Sequence, residues 1–315
     1  MKKVFVALSI FLIALTSSYA QTARSKITIA TGVDPSLGTF YVAKAAGFFE
    51  KNGLDVQLNT GSSGSAMVPF LIKNQVQAVL AAEQAGLMAN SLDSDVVVAA
   101  EGMQMIRYYG LVAKDPNATI ETLKGKKIGV ALGSASEVFW MALVEKLKLK
   151  ATDYTIVQVE PPEMLAALQR GDIDAFAGWE PWVTKALTAI PGSKNVRDNE
   201  GIITSRNYVY INRSWARQDP AAARAFMRSL TQASDFIEKD PQAAAGVIAT
   251  YLKLDPVLTR TLIGKVRFQV KLDESSIDYL KTVEKQLILS KRLKKPTVWT
   301  EFIDTELLKQ SATVK

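Results

Sequence analysis

The chain has 315 residues, 48% of them hydrophobic and 22% charged, with 38 Lys and Arg against 31 Asp and Glu for a net charge of +7. This composition can bury a sizeable core as one large domain or two ordinary ones, and it excludes a disordered or fibrous chain. Cysteine and histidine are both absent, which removes disulfides, the usual general base and the commonest metal ligand, so hydrolytic triads and zinc chemistry are not expected.

Residues 1–20 stand apart. Met1-Lys2-Lys3 is basic, residues 4–15 are apolar, and Thr16-Ser17-Ser18-Tyr19-Ala20 forms a small-residue exit before Gln21. That is the pattern of a secretory signal peptide, and its apolar run is too short to span a bilayer. With no cysteine to carry a lipid, a soluble exported protein is expected. Loss of Lys2 and Lys3 would leave 36 Lys and Arg against 31 Asp and Glu, a net charge of +5, a modest field that favours anionic ligands.

Residues 26–31 alternate as a strand and run into Gly32-Val33-Asp34-Pro35-Ser36-Leu37-Gly38-Thr39, a loop of turn formers. Residues 40–52 carry helical periodicity and stop at Asn52-Gly53. The loop thus places Ser36 and Thr39 at a helix N-terminus, where unpaired N–H groups can hold an anion. Residues 54–59 form the next strand, and Thr60-Gly61-Ser62-Ser63-Gly64-Ser65 feeds a second helix start. Taken alone, either loop reads first as turn and N-cap chemistry. Neither completes a nucleophile elbow, a Walker loop or a dinucleotide glycine set.

Residues 95–100 read as a buried strand, and residues 108–114 as an extended piece crossing to a second lobe. A short helix and turn over residues 120–127 leads into the strand 128–132. Gly133-Ser134-Ala135-Ser136 then opens a helix to about Leu147, a third strand, glycine-serine loop and helix start. Residues 154–159 form a strand, and Pro161 and Pro162 sit in tolerated first-turn positions of the helix that follows.

Next comes Gly171-Asp172-Ile173-Asp174-Ala175-Phe176-Ala177-Gly178-Trp179-Glu180-Pro181-Trp182, a tight turn, a short apolar strand, and an indole beside a carboxylate where Pro181 ends the strand. The same pattern occurs 97 residues earlier: Asn74 falls opposite Gly171, Val76 opposite Ile173, Ala78 opposite Ala175 and Glu83 opposite Glu180. One helix-turn-strand unit repeated in this way predicts two similar lobes facing across a cleft. Ligands in open α/β sheets collect at the carboxyl ends of strands, which makes Trp179 and Glu180 a candidate binding wall. Packing and solvation are the plainer reading of the same pair.

Residues 184–189 look helical, 191–195 a loop, and 207–212 a strand returning to the first lobe. From Asp219 onward the chain reads as mostly helical, over residues 220–239, 241–251, 256–264, 273–290 and 299–310, the first three starting at Asp-Pro steps. Lys291-Arg292-Leu293-Lys294-Lys295 has no interleaved aromatics, so it reads as a solvated linker and no nucleic-acid partner is expected.

On these residues the chain resembles the nitrate/sulfonate/taurine class of periplasmic solute-binding proteins that feed ABC importers. The resemblance rests on Phe40-Tyr41-Val42-Ala43-Lys44-Ala45-Ala46-Gly47-Phe48-Phe49-Glu50-Lys51-Asn52-Gly53-Leu54-Asp55-Val56, on Leu123-Lys124-Gly125-Lys126-Lys127-Ile128-Gly129-Val130, and on Ala166-Ala167-Leu168 through Gly171-Asp172-Ile173-Asp174-Ala175 to Trp179-Glu180-Pro181. It extends from about Lys26 to Gln310. It implies a bilobal α/β periplasmic-binding-protein fold of type II, two sheet-and-helix lobes with two hinge crossovers. The lobes would be residues 21–109 with 206–315, and residues 110–205. By position the resemblance points to Ser36, Leu37, Gly38, Thr39 and Phe40; to Ser62, Ser63, Gly64 and Ser65; to Glu83 and Gln84; to Gly133, Ser134, Ala135 and Ser136; and to Trp179 with Glu180.

The function so implied is capture of a small organic anion of the sulfonate or taurine class, without chemistry, cofactor or metal, and delivery to an ABC transporter permease from the periplasm by a monomer. Helix N-termini would hold the anion, with Trp179 over the organic portion and Phe40, Phe139 or Trp140 as further apolar wall. Glu83 and Glu180 would either pair with arginines such as Arg107 or Arg206, or hold an ammonium on a zwitterion. The alternative within the same fold is an aromatic or heteroaromatic ligand, a carboxylate or pyrimidine, stacked on Trp179 and Phe40. An exported enzyme is the third reading, since a related branch makes the thiamin pyrimidine; that chemistry relies on histidine, which is absent here.

Overall fold

The computed structural model describes residues 24–312; the signal segment read over 1–20 lies outside them. Eleven strands form two sheets. The first is built from β1 (Ser25–Gly32), β2 (Leu54–Gly61), β3 (Ala78–Ala82), β4 (Val96–Met105), β10 (Ser205–Asn212) and β11 (Val266–Lys271), and the second from β5 (Tyr109–Ala113), β6 (Lys127–Val130), β7 (Thr155–Gln158), β8 (Ala175–Trp179) and β9 (Lys194–Asp198). Their orders are β11-β4-β10-β3-β1-β2 and β7-β6-β8-β5-β9.

The two sheets repeat one plan. In each, three strands run parallel (β2-β1-β3 and β7-β6-β8), and the next neighbour is antiparallel (β10 and β5). The registers match too: β1 meets β3 at Ile29↔Ala78 and Ala30↔Val79, and β6 meets β8 at Ile128↔Ala175 and Gly129↔Phe176. The 97-residue echo is therefore a structural repeat. Helices Gly64–Ile72 and Pro161–Arg170 precede β3 and β8, and each is followed by a residue in the left-handed region, Asn74 at φ 55° and Gly171 at φ 85°, the conformation that ends helices most readily.

Each sheet is covered on both faces. Phe40, Tyr41, Phe226 and Ile248 fill the core over one face of the first sheet, while Val68, Leu71, Leu280 and Val283 fill the other. In the second sheet, Met164, Leu168 and Val183 cover Phe176 on one face, and Phe139 and Leu143 lie in the core that continues into the first lobe. The chain crosses between sheets twice, at residues 106–108 and 199–204.

Several local expectations change. Residues 40–52 are two helices, Gly38–Ala45 and Phe48–Lys51, broken where Gly47 takes φ 73°. The C-terminal part, mostly helical as read, also carries one strand: β11 pairs antiparallel with β4, with Val266 and Phe268 turned into the core. Lys194 and Asn195, read as loop, belong to β9 on β5. The last helical stretch divides into Trp299–Phe302 and Thr305–Ala312, and between them Ile303 bridges to Val98. The basic run is not a free linker, because Leu293 is buried and Arg292 pairs with Glu137 at 2.5 Å.

Candidate functional site

A narrow hollow with only about 20 Å³ of free space lies between the two sheets. Two helices from opposite sheets begin on it. Ser63 caps helix Gly64–Ile72, its Oγ accepting from the Ala66 N–H at 3.1 Å. Ser134 caps helix Ala135–Lys146, accepting from the Ser136 N–H at 3.2 Å and donating to the Ala131 carbonyl at 2.7 Å. Ser63, Gly64, Ser65, Ser134 and Ala135 all line the space. First-turn N–H groups have no intrahelical acceptor, so both ends offer donors and partial positive charge to the same volume.

Gly64 is required for this placement. A Cβ there would strike the carbonyl of Leu80, and one at Gly32 would lie 2.5 Å from the Gly64 nitrogen, so the helix start sits directly on the strand ends. Ala82, at the end of β3, and Trp179, at the end of β8, also face the hollow, as the carboxyl-end rule for α/β sheets anticipates. Trp179 lies opposite Tyr109, another lining residue, in the β5–β8 ladder.

Apart from Leu37, the other expected residues sit around this space without lining it. Ser36 and Thr39 are buried with unpartnered hydroxyls, and of the segment 36–40 only Leu37 reaches the hollow. A Cβ on Gly38 would meet Ile248 and Phe268, and Phe40 packs edge-on to Phe226 at 5.8 Å, so both serve the first lobe's core. Ser136 Oγ accepts from the Ala131 N–H and donates to the Ala177 carbonyl at 2.5 Å, which fastens the loop to β8. Gly133 donates to Glu137 at 2.7 Å. Ser62 donates to Glu160 across the cleft at 3.2 Å.

The two glutamates divide. Glu180 accepts from the Thr184 N–H and hydroxyl at 3.0 Å each and pairs with Lys265 at 2.9 Å. The arginine pairings anticipated for it and for Glu83 do not form: Arg107 pairs with Glu200 and Arg206 with Glu101. Glu83 is fully buried; its Oε1 accepts from Ser205 at 2.9 Å and Tyr279 at 2.8 Å, while Oε2 has no partner. Burial pushes its carboxyl up to about 7, only partly offset by those hydrogen bonds. Tyr109 donates to Ser205 at 3.1 Å, which links Glu83 to the hollow through one hydroxyl. Gln84 beside it is buried with both amide atoms unpartnered.

Five lining residues fall outside the sequence-based set: Asp34, Ala82, Met105, Tyr109 and Asn207. Asp34 belongs to the first strand-to-helix loop, where it reads as a turn former. Its Oδ1 accepts from the Ser36 N–H at 2.8 Å and from the Tyr108 hydroxyl at 2.7 Å.

Outside the hollow, and sharing Ser63, Ser65 and Ser134 with it, runs a groove of about 240 Å³ walled by Pro69, Ile72, Met88, Leu92 and Leu132. Further contacts close the cleft around both spaces, including Gln286 to Glu145 at 2.6 Å and Arg292 to Glu137. Among the described residues no group of His, Cys, Asp or Glu is placed to hold a metal ion, and no helix is long and apolar enough to cross a membrane.

Two like sheets, two crossovers and a hollow between them define a bilobal periplasmic-binding-protein fold. The chain belongs to the NMT1/THI5 like family, whose model matches residues 34–244. It is 26% identical over 227 residues to the taurine-binding periplasmic protein of Escherichia coli, covering 70% of this chain and 68% of that one. It is 27% identical over 264 residues to the 4-amino-5-hydroxymethyl-2-methylpyrimidine phosphate synthase of Aspergillus parasiticus, covering 76% of this chain and 74% of that one. In structure it resembles the alkanesulfonate-binding protein SsuA of Xanthomonas axonopodis pv. citri bound to MOPS, with a TM-score of 0.79 at 18% identity, over 89% of this chain and 98% of that chain.

Proposed function

We propose that this chain is an exported solute-binding protein that captures a small organic anion of the sulfonate class between its lobes and delivers it to an ABC-type permease. The observation that carries this reading is the convergence of two capped helix N-termini, one from each lobe, on one hollow. An anion there gains about 0.3–1 kcal/mol from each helix end at exposed sites, and more in a partly buried one, with Ser and backbone donors adding hydrogen bonds. Trp179 covers the organic portion. The lobes are residues 21–109 with 206–315, and residues 110–205, and a ligand that touches both favours the closed arrangement by its differential affinity. The bound molecule leaves chemically unchanged, handed on by a monomer in the periplasm. Resemblance to the taurine-binding relative supports the ligand class.

A second reading is favoured by one feature of the lining. Trp179 and Tyr109 stand side by side at the hollow and offer an aromatic wall for a flat ligand, so an aromatic or heteroaromatic compound is the alternative. Calorimetric titration of the mature protein with taurine, ethanesulfonate and benzoate separates the readings. Saturable heat with a sulfonate and none with benzoate supports the first; the reverse supports the second.

A further inference from the structure

The hollow offers positive helix ends on two sides, yet it carries a carboxylate of its own. Asp34 is 7% exposed and lines the space. Its Oδ1 is committed to the Ser36 N–H and the Tyr108 hydroxyl, and the Ser36 hydroxyl beside it also favours the charged form, which leaves Oδ2 without a cation or a backbone donor among the described residues. No lysine or arginine lines the hollow among those residues. The ionisable groups that face Asp34 are the hydroxyls of Tyr41, Tyr108 and Tyr109 and the carboxylate of Glu180, and Glu180 is paired with Lys265. A buried carboxylate without a cation is costly to keep ionised. Consistently, burial pushes the Asp34 carboxyl up to about 6, with the charge on Glu180 adding to the shift. The hollow thus offers a carboxylate and no cation among the described residues.

We propose that Asp34 receives a cationic nitrogen of the ligand, so that the protein selects a zwitterion with its anionic group on the two helix ends and its ammonium on Asp34 Oδ2. This rests on the sulfonate-capture reading and narrows it. Asn207 lines the same hollow, with a buried Oδ1 that has no partner, and supplies a second acceptor for the same donor. The carboxylate thereby becomes a specificity device: a simple anion leaves Asp34 unpaired, and a zwitterion does not.

The test compares taurine with 2-hydroxyethanesulfonate, which has a hydroxyl in place of the ammonium, by calorimetry on the wild type and on Asp34→Asn. Asparagine keeps the Oδ1 acceptor for Ser36 and Tyr108, and a thermal melt checks that the variant is folded. Wild type is expected to bind taurine at least about tenfold more tightly than the hydroxyl analogue, and Asp34→Asn to lose that preference. Near pH 6 taurine binding to wild type should also release protons, seen as heat that varies with the buffer's ionisation enthalpy, and the variant should show none of this. Equal binding of the two ligands by wild type, or an unchanged preference in folded Asp34→Asn, overturns the assignment while sulfonate capture stands. Failure of wild type to bind either ligand overturns the sulfonate reading and this inference with it.

Discussion

Asn199 on one crossover accepts a hydrogen bond from the backbone N–H of Tyr109, where the other crossover enters β5, at 3.0 Å. The same Oδ1 accepts from the Tyr108 N–H at 2.9 Å, and Nδ2 donates to the carbonyls of Ile106 and Ile203 at 2.8 Å each. One buried side chain thus fastens both segments that join the lobes. Asn199→Ala would orphan two buried N–H groups at roughly 1–3 kcal/mol each. The expected outcome is a loss of roughly 2–4 kcal/mol in denaturant unfolding, whereas an exposed control such as Lys150→Ala should change little.

Asp34 gives a pH signature. Its folded-state value of about 6 lies above the ordinary 3.8, so its contribution is fully present below about pH 4 and is lost as pH rises through about 6. Asp34→Asn does not titrate. The stability of wild type relative to this variant should therefore fall between about pH 4 and pH 7, by up to roughly 3 kcal/mol. Parallel curves for the two proteins across that range would show that Asp34 titrates normally.

Trp179 is 6% exposed and part of the main core, so Trp179→Ala should cost about 3–5 kcal/mol of stability and confound any binding measurement. Trp179→Phe retains an aromatic wall. It should remain folded and weaken ligand capture by about tenfold, or roughly 1.4 kcal/mol; unchanged affinity would remove the indole from the site.

The pair Arg292–Glu137 spans the cleft from the segment after helix Glu274–Leu289 to helix Ala135–Lys146. Glu137 is buried but Arg292 is 30% exposed, so solvent screens the pair and it contributes on the order of 0.2–1 kcal/mol to closure. Arg292→Ala should weaken capture by up to about fivefold, and titration in high salt should shrink the gap between variant and wild type.

The repeat was legible because it is local. A helix, a turn, an apolar strand and a glutamate recur at a fixed spacing, and the structure adds matching strand pairings, Ile29↔Ala78 and Ile128↔Ala175. The serine caps Ser63 and Ser134 were legible for the same reason, each sitting just ahead of an apolar helix. Partners distant in the chain were not. Asp34 depends on Tyr108, 74 positions away, and Glu180 on Lys265, 85 away; nothing near either acid in sequence marks which is neutralised. β11 was masked by the helices around it, since six residues that pair only with β4 carry too little periodicity of their own.

Capture should close the two lobes, and small-angle scattering of the protein with and without saturating ligand reads that closure. A smaller radius of gyration is expected in the bound state, with half of the change at the calorimetric midpoint. Saturated binding with an unchanged radius of gyration would contradict it.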